Sequence, residues 1–169
     1  MWWYPYTDIN GWWVGKLNIK IVPSKKAEAN ELLKIQKEAF YSDLIKYKDY
    51  HTNPAAESLD YFLFRMQNSL HYSIYIDGRL TGAICLVKQT KDHYYLYRIY
   101  FGPEFQNKGY GSKILQQLEG KFPQVKKWSL DTPKDNRRNR HFYEKFGYKK
   151  MGEHKINDYL TLILYEKIL

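Results

Sequence analysis

The hydrophobic positions change period several times along the chain, and each change outlines an element. Residues 17–22 alternate in the manner of a strand, and Pro23-Ser24 closes it, with Ser24 suited to cap a following helix. Ala29, Leu32, Leu33, Gln36 and Phe40 recur at helical spacing before a polar segment, residues 41–55. Leu59, Phe62, Leu63, Met66 and Leu70 trace one face of a second helix. Residues 72–76 and 80–87, on either side of Asp77-Gly78, predict a hairpin, and residues 93–101 a third strand rich in tyrosine and isoleucine. Beyond a glycine-containing loop, Ile114, Leu115 and Leu118 mark a helix, and residues 128–130 a short strand. Residues 136–146 predict a helix with Phe142, Tyr143 and Phe146 turned inward and Gly147 as its stop. Two strands, near residues 149–154 and 159–167, close the chain. The order β-α-α-β-β-β-α-β-α-β-β predicts an α+β fold: one mostly antiparallel mixed sheet flanked by helices.

A length of 169 residues suits one domain with a full core, assigned to residues 17–169. Residues 1–16 stand apart as an aromatic arm holding Trp2, Trp3, Trp12 and Trp13. This arm is either native, packing on the domain or on a second subunit, or an artefact of the start site. The single cysteine, Cys85, excludes an intramolecular disulfide and lies in an apolar run that marks it as core. The five histidines are too scattered to build a metal cluster around it. No stretch reaches the roughly 20 apolar residues of a membrane span, and no secretory signal opens the chain. The expected location is cytoplasmic, with no membrane partner.

A net charge of +9 favours an anionic partner but does not choose between nucleic acid, a membrane surface and a polyphosphate ligand. The segment from Arg98 to Ser112 narrows the choice. A strand ends near Phe101, Pro103 turns the chain, and a helix opens near Tyr110. Such a junction points free backbone N–H groups out of the positive end of a helix, which suits an anion. Gly109 and Gly111 carry no Cβ to hold a phosphate off, Asn107 tolerates positive φ, and Lys108 adds a mobile cation. A plain turn before a helix would have the same composition.

Gln106-Asn107-Lys108-Gly109-Tyr110-Gly111 resembles the Gln/Arg-x-x-Gly-x-Gly/Ala signature of the GNAT superfamily of N-acetyltransferases, with Gln106 for the commoner arginine and Asn107 for the commoner glycine. The segment from Asn136 through Phe142-Tyr143-Glu144-Lys145 to Gly147-Tyr148 resembles that family's second motif, in the expected order. The resemblance covers residues 17–169. It implies a GNAT-like fold and acetyl-CoA as acetyl donor, with CoA as product. Ile99 and Phe101 would pair with the pantetheine arm, and Gln106, Asn107, Lys108, Gly109, Tyr110, Gly111 and Ser112 would hold the pyrophosphate. Asn136 would touch the arm, and Lys108, Arg140 or Lys145 the 3′-phosphate. Arg137 and Arg138 read as a solvated helix face.

Tyr143 matches the family's tyrosine that protonates the departing thiolate; core packing would account for it equally. Glu104 and Asp131 are the candidates for a base. The acceptor, a small-molecule or peptide amine, should meet Tyr41, Asp43 and Tyr47 on one side, with Tyr50 and His51 nearby, and Tyr97 and Arg98, beside Tyr95, on the other. Aromatic walls with an acid suit a cation, whereas Arg98 prefers a carboxylate. The same resemblance makes a homodimer the expected assembly. Two other functions compete: a catalytically silent acyl-CoA-binding protein of the same fold, and a basic nucleic-acid-binding module. The scattered lysines argue against the second, and no nucleic-acid partner is expected.

Overall fold

The computed structural model describes residues 17–169, so the aromatic arm lies outside the described residues. Seven strands form one sheet, with spatial order β1-β2-β3-β4-β5-β7-β6. They are β1 (Ile19–Pro23), β2 (Leu70–Ile76), β3 (Arg79–Lys88), β4 (His93–Phe101), β5 (Lys127–Pro133), β6 (Lys149–Lys155) and β7 (Thr161–Ile168). Four helices flank the sheet: α1 (Ala29–Tyr47), α2 (Leu59–Asn68), α3 (Tyr110–Lys121) and α4 (Arg137–Lys145). This is the α+β order read from the sequence. Among the described residues no helix is long and apolar enough to cross a membrane.

Strand ends shift by one to three residues from the sequence reading, and three differences around α1 and α2 go further. Ser24 does not cap a helix; its hydroxyl bonds His71 Nδ1 at 2.8 Å and accepts from Ser73, while a 3-10 turn at Lys26–Glu28 leads into α1. Leu70, placed on the helical face, opens β2 because Ser69 is already extended. The largest difference is in α1, which runs on to Tyr47. Beyond Phe40 its inner face carries Asp43 and Tyr47 with Leu44 as the one aliphatic residue, so the apolar signal weakens while the helix continues.

The sheet separates two apolar layers. Ile114, Leu115 and Leu118 of α3 and Tyr143 of α4 pack with Ile84, Leu96, Trp128 and Tyr165 on one face. Leu32, Leu33 and Phe62 of α1 and α2 pack with Ala83 and Tyr100 on the other. Trp128, Leu32 and Phe62 are fully buried.

Two irregularities in β4 shape the centre of the sheet. Its register with β3 passes from Cys85–Arg98 to Leu86–Leu96, which leaves Tyr97 as an extra residue in a β-bulge. On its other edge β4 pairs with β5 in parallel at three positions only, His93–Lys127, Tyr94–Trp128 and Tyr95–Ser129. Past Tyr95 the two strands part, and the β5 edge of Arg98–Phe101 carries no strand.

Gly82 in β3 faces Phe101 at the end of β4, and a Cβ there would fall inside the contact radius of the Tyr100 carbonyl oxygen. Gly82→Ala must therefore push β3 and β4 apart. It is expected to lower the unfolding free energy by about 1–3 kcal/mol, as overpacking does, measured by urea denaturation.

Candidate active site

The gap between β4 and β5 opens into a cavity of about 700 Å³. α1 contributes Phe40 and Asp43 to its wall, β4 contributes Ile99 to Phe101, and α4 contributes Asn136, Tyr143 and their helical neighbours. The loop between β4 and α3 closes one end.

That loop takes the conformation its residues allow. Asn107 has φ 62° and Gly109 φ 77°, both in the left-handed region, where asparagine and glycine are the tolerant types. Gly109 is the N-cap of α3, and nothing lies within 4 Å of where its Cβ would be. The first residues of α3, Tyr110, Gly111 and Ser112, line the cavity, and no acidic residue stands in its first turn. Gln106 folds back and donates from Nε2 to the Phe101 carbonyl at 3.1 Å, tying loop to strand end. At the start of α4 the Asn136 side chain accepts from the Asn139 N–H at 3.0 Å, which fixes the helix beside the gap.

Of the residues selected from the sequence for a cofactor, Ile99, Phe101, Gln106, Asn107, Gly109, Tyr110, Gly111, Ser112, Asn136 and Lys145 line this cavity together with Tyr143. Lys108 and Arg140 do not. Lys108 Nζ lies 5.8 Å from the centre of the Phe105 ring. Arg140 turns to the opposite side of α4, donating to the Lys134 carbonyl at 3.1 Å and reaching Tyr165 Oη at 3.5 Å. Arg138, read as a solvated face, lines the cavity instead, as does His141. Arg138, His141, Phe142 and Lys145 fall at i, i+3, i+4 and i+7, so Phe142 and Lys145 already carried the spacing that would have found them.

The residues selected for the acceptor separate. Asp43 lines the cavity. Tyr41 and Tyr50 point into solvent, 62% and 58% exposed. Tyr47 is buried and donates its hydroxyl to Asp135 Oδ1 at 2.5 Å. Tyr95 donates to Asp131 Oδ2 at 2.6 Å, and Tyr97 stands half exposed with the Arg98 guanidinium 4.9 Å from its ring centre.

Arg98, expected on the acceptor wall, does not line the cavity. The bulge at Tyr97 reverses the alternation of β4, so Leu96 faces the α3/α4 layer while Arg98 and Tyr100 face the α1/α2 layer. There Arg98 Nη1 donates to Glu57 Oε2 at 3.0 Å and to Gln36 Oε1 at 3.1 Å. Glu57 also receives Arg65, through Nε at 2.9 Å and through Nη2, while Gln36 Nε2 donates to Glu57 and to the Pro54 carbonyl. All four side chains are buried.

Burial shifts the titration of several groups here. It pushes the Tyr143 hydroxyl well above the usual phenol value, and the nearby Asp131 carboxylate adds to the effect. Burial likewise raises Asp43, offset in part by Lys46 and reinforced by Asp135. For Glu57, burial would raise the carboxyl, but the hydrogen bonds from Arg65 and Gln36 and the charge of Arg98 outweigh it and hold it below its ordinary value.

The profile of the Acetyltransferase (GNAT) family matches residues 29–148, and the chain belongs to that family. The YrkN protein of Bacillus subtilis (strain 168) is 27% identical over 139 residues, covering 80% of this chain and 73% of that protein. Among solved structures, the PaiA N-acetyltransferase of Thermoplasma acidophilum in complex with coenzyme A superimposes with a TM-score of 0.68 at 20% identity, covering 90% of this chain and 99% of that one. The ribosomal-protein-S18-alanine N-acetyltransferase of Escherichia coli gives 0.71 at 16% identity over 89% and 94% of the two chains. A GNAT family acetyltransferase from Elizabethkingia anophelis with acetyl-CoA bound gives 0.62 at 18% over 90% and 99%. These likenesses extend the shared fold over about nine-tenths of the chain.

Removing the shared carboxylate would strand two buried guanidinium groups. Glu57→Gln is expected to cost about 3–5 kcal/mol of stability at neutral pH. A carboxyl held below its ordinary value contributes stability that is complete above about pH 4.5 and is lost as pH falls through its folded value. Denaturation from pH 7 to 3 should show this acid limb in the wild type, and a shallower one in Glu57→Gln.

Proposed function

We propose that this protein transfers the acetyl group of acetyl-CoA to a primary amine, with donor and acceptor held together in the cavity between β4 and β5. The observation that carries the reading is the meeting of three features in that cavity: an unpaired strand edge, a helix start reached through two left-handed residues, and a buried tyrosine. When bound, acetyl-CoA supplies the acetyl thioester and a thiolate leaving group.

The residues present fit such a ligand along its length. The amide-bearing arm matches the free edge of β4 at Ile99 and Phe101, where β5 no longer supplies hydrogen bonds. The N–H groups of Tyr110, Gly111 and Ser112 would take the pyrophosphate at the positive end of α3, which the bare Gly109 lets it approach. Arg138 and Lys145 add positive charge from α4.

The protein's own part in the reaction is positioning and proton supply. Holding two reactants in one cavity replaces a bimolecular encounter and supplies the largest share of rate. Unpaired N–H groups of β4 facing the gap would stabilise negative charge developing there. Tyr143 stays protonated across the physiological range, because burial and Asp131 both disfavour its phenolate, so it has a proton to give to a departing sulfur. The amine attacks in its neutral form, and the proton its nitrogen then loses passes through water and restores the phenol. Direct transfer is favoured over an acyl-cysteine, since Cys85 is fully buried in β3 and bonded to Ser69 rather than facing the cavity. Use of acetyl-CoA fits a cytoplasmic location.

Thermal denaturation tests the ligand. Acetyl-CoA or CoA at about 100 times its dissociation constant should stabilise the fold by about 2.7 kcal/mol, and ATP should not. Gly109→Val should cancel that shift, since a branched side chain fills the approach to α3; its own left-handed strain should cost about 1–2 kcal/mol. No shift for the wild type at millimolar acetyl-CoA would refute the reading.

Steady-state kinetics test the tyrosine. Tyr143→Phe should lower kcat at least about tenfold while acetyl-CoA affinity stays within a few-fold. Unchanged turnover would make Tyr143 a packing residue.

A further inference from the structure

Charge is divided unevenly around the cavity. The positive groups along its wall are the N-terminus of α3 and Arg138 and Lys145 of α4; the α1 wall has Asp43, the only carboxylate among the lining residues. Asp43 is half-buried, and among the described residues it has no hydrogen bond and no ion pair. The cation that would pair with it, Lys46 one turn further along α1, is engaged elsewhere: its Nζ lies 2.6 Å from Asp135 Oδ2, and Tyr47 donates to the other oxygen of the same carboxylate. A half-buried carboxylate facing a cavity has lost hydration that the charge of Lys46 offsets only in part, so a cationic guest is stabilised there.

The remaining contacts point the same way. Arg98, the residue that would favour an acceptor carboxylate, is paired with Glu57 beneath α1 and absent from the cavity wall. Phe40 and Tyr100 line the wall beside Asp43 with their rings edge to face, centroids 6.0 Å apart, which offers an apolar surface to an alkyl chain.

We infer that Asp43 is the specificity-determining residue for the acceptor, binding its positive charge, and that the acceptors are aliphatic cationic amines without a carboxylate. This rests on the transferase reading above. Asp43 selects by charge complementarity on the α1 wall, while the start of α3 takes the anionic donor.

The probes are cadaverine, pentylamine and 5-aminovalerate, which share chain length and differ at the far end as cation, methyl and carboxylate. Amine binding to the CoA-saturated protein is read by calorimetry, and acetyl transfer by kcat/KM. The wild type should favour cadaverine and pentylamine over 5-aminovalerate by at least about tenfold. Asp43→Asn should lose at least about tenfold in amine affinity with acetyl-CoA affinity unchanged, and Asp43→Glu should regain part of it. Three results would overturn the inference: equal amine affinity in Asp43→Asn, a wild-type preference for 5-aminovalerate, or no binding of any probe. Failure of the transferase reading is separate, since it would show as no thermal shift of the wild type with acetyl-CoA alone.

Discussion

One carboxylate, that of Glu57, holds the two guanidinium groups of Arg65 and Arg98 in the interior, with Gln36 bonded to the same cluster. The four side chains come from α1, the turn before α2, α2 itself and β4, so the cluster fixes both helices against the middle of the sheet. Two buried positive charges on one negative charge would be unfavourable without the hydrogen bonds that divide the charge among them. Their arrangement also decides which way β4 turns. With Arg98 drawn to the α1/α2 side, the bulge at Tyr97 is held in place, and Ile99 and Phe101 present themselves to the other layer and to the cavity.

The separation of β4 from β5 arises from the same irregularity. A bulge increases local twist and bend, and it sits just beyond the last of three parallel pairs. The free edge, the left-handed turn at Asn107 to Gly109 and the start of α4 then converge, each built by local rules of its own. Asn136 caps one helix and Gly109 opens another, so the residues that end the neighbouring elements also bound the cavity.

The fold was largely legible because its elements follow the two hydrophobic periods, and the turn pair Asp77-Gly78 and the two motif segments fall where those periods break. What escaped the pattern escaped for identifiable reasons. The end of α1 faces polar partners, so Asp43 and Tyr47 occupy inward positions that a search for aliphatic spacing passes over. Arg98 reads from the sequence as a ligand contact, and nothing in the composition around Tyr97 announces the bulge or the buried Glu57 that engages it. Arg138 and Arg140 are two residues apart on one helix, which sends them to different sides, a distinction that charge alone conceals. The loop was read more directly, because glycine and asparagine at left-handed positions are a local requirement and need no knowledge of tertiary contacts.

The three-pair junction between β4 and β5 has a mechanical meaning as well. Among the described residues it is the only ladder linking strands β1 to β4 with strands β5, β7 and β6. The sheet is thus two stiff panels joined along a short seam, with the cavity as the open part of that seam. A molecule lying in it spans both panels and acts as a brace, resisting the relative rocking that a short seam permits.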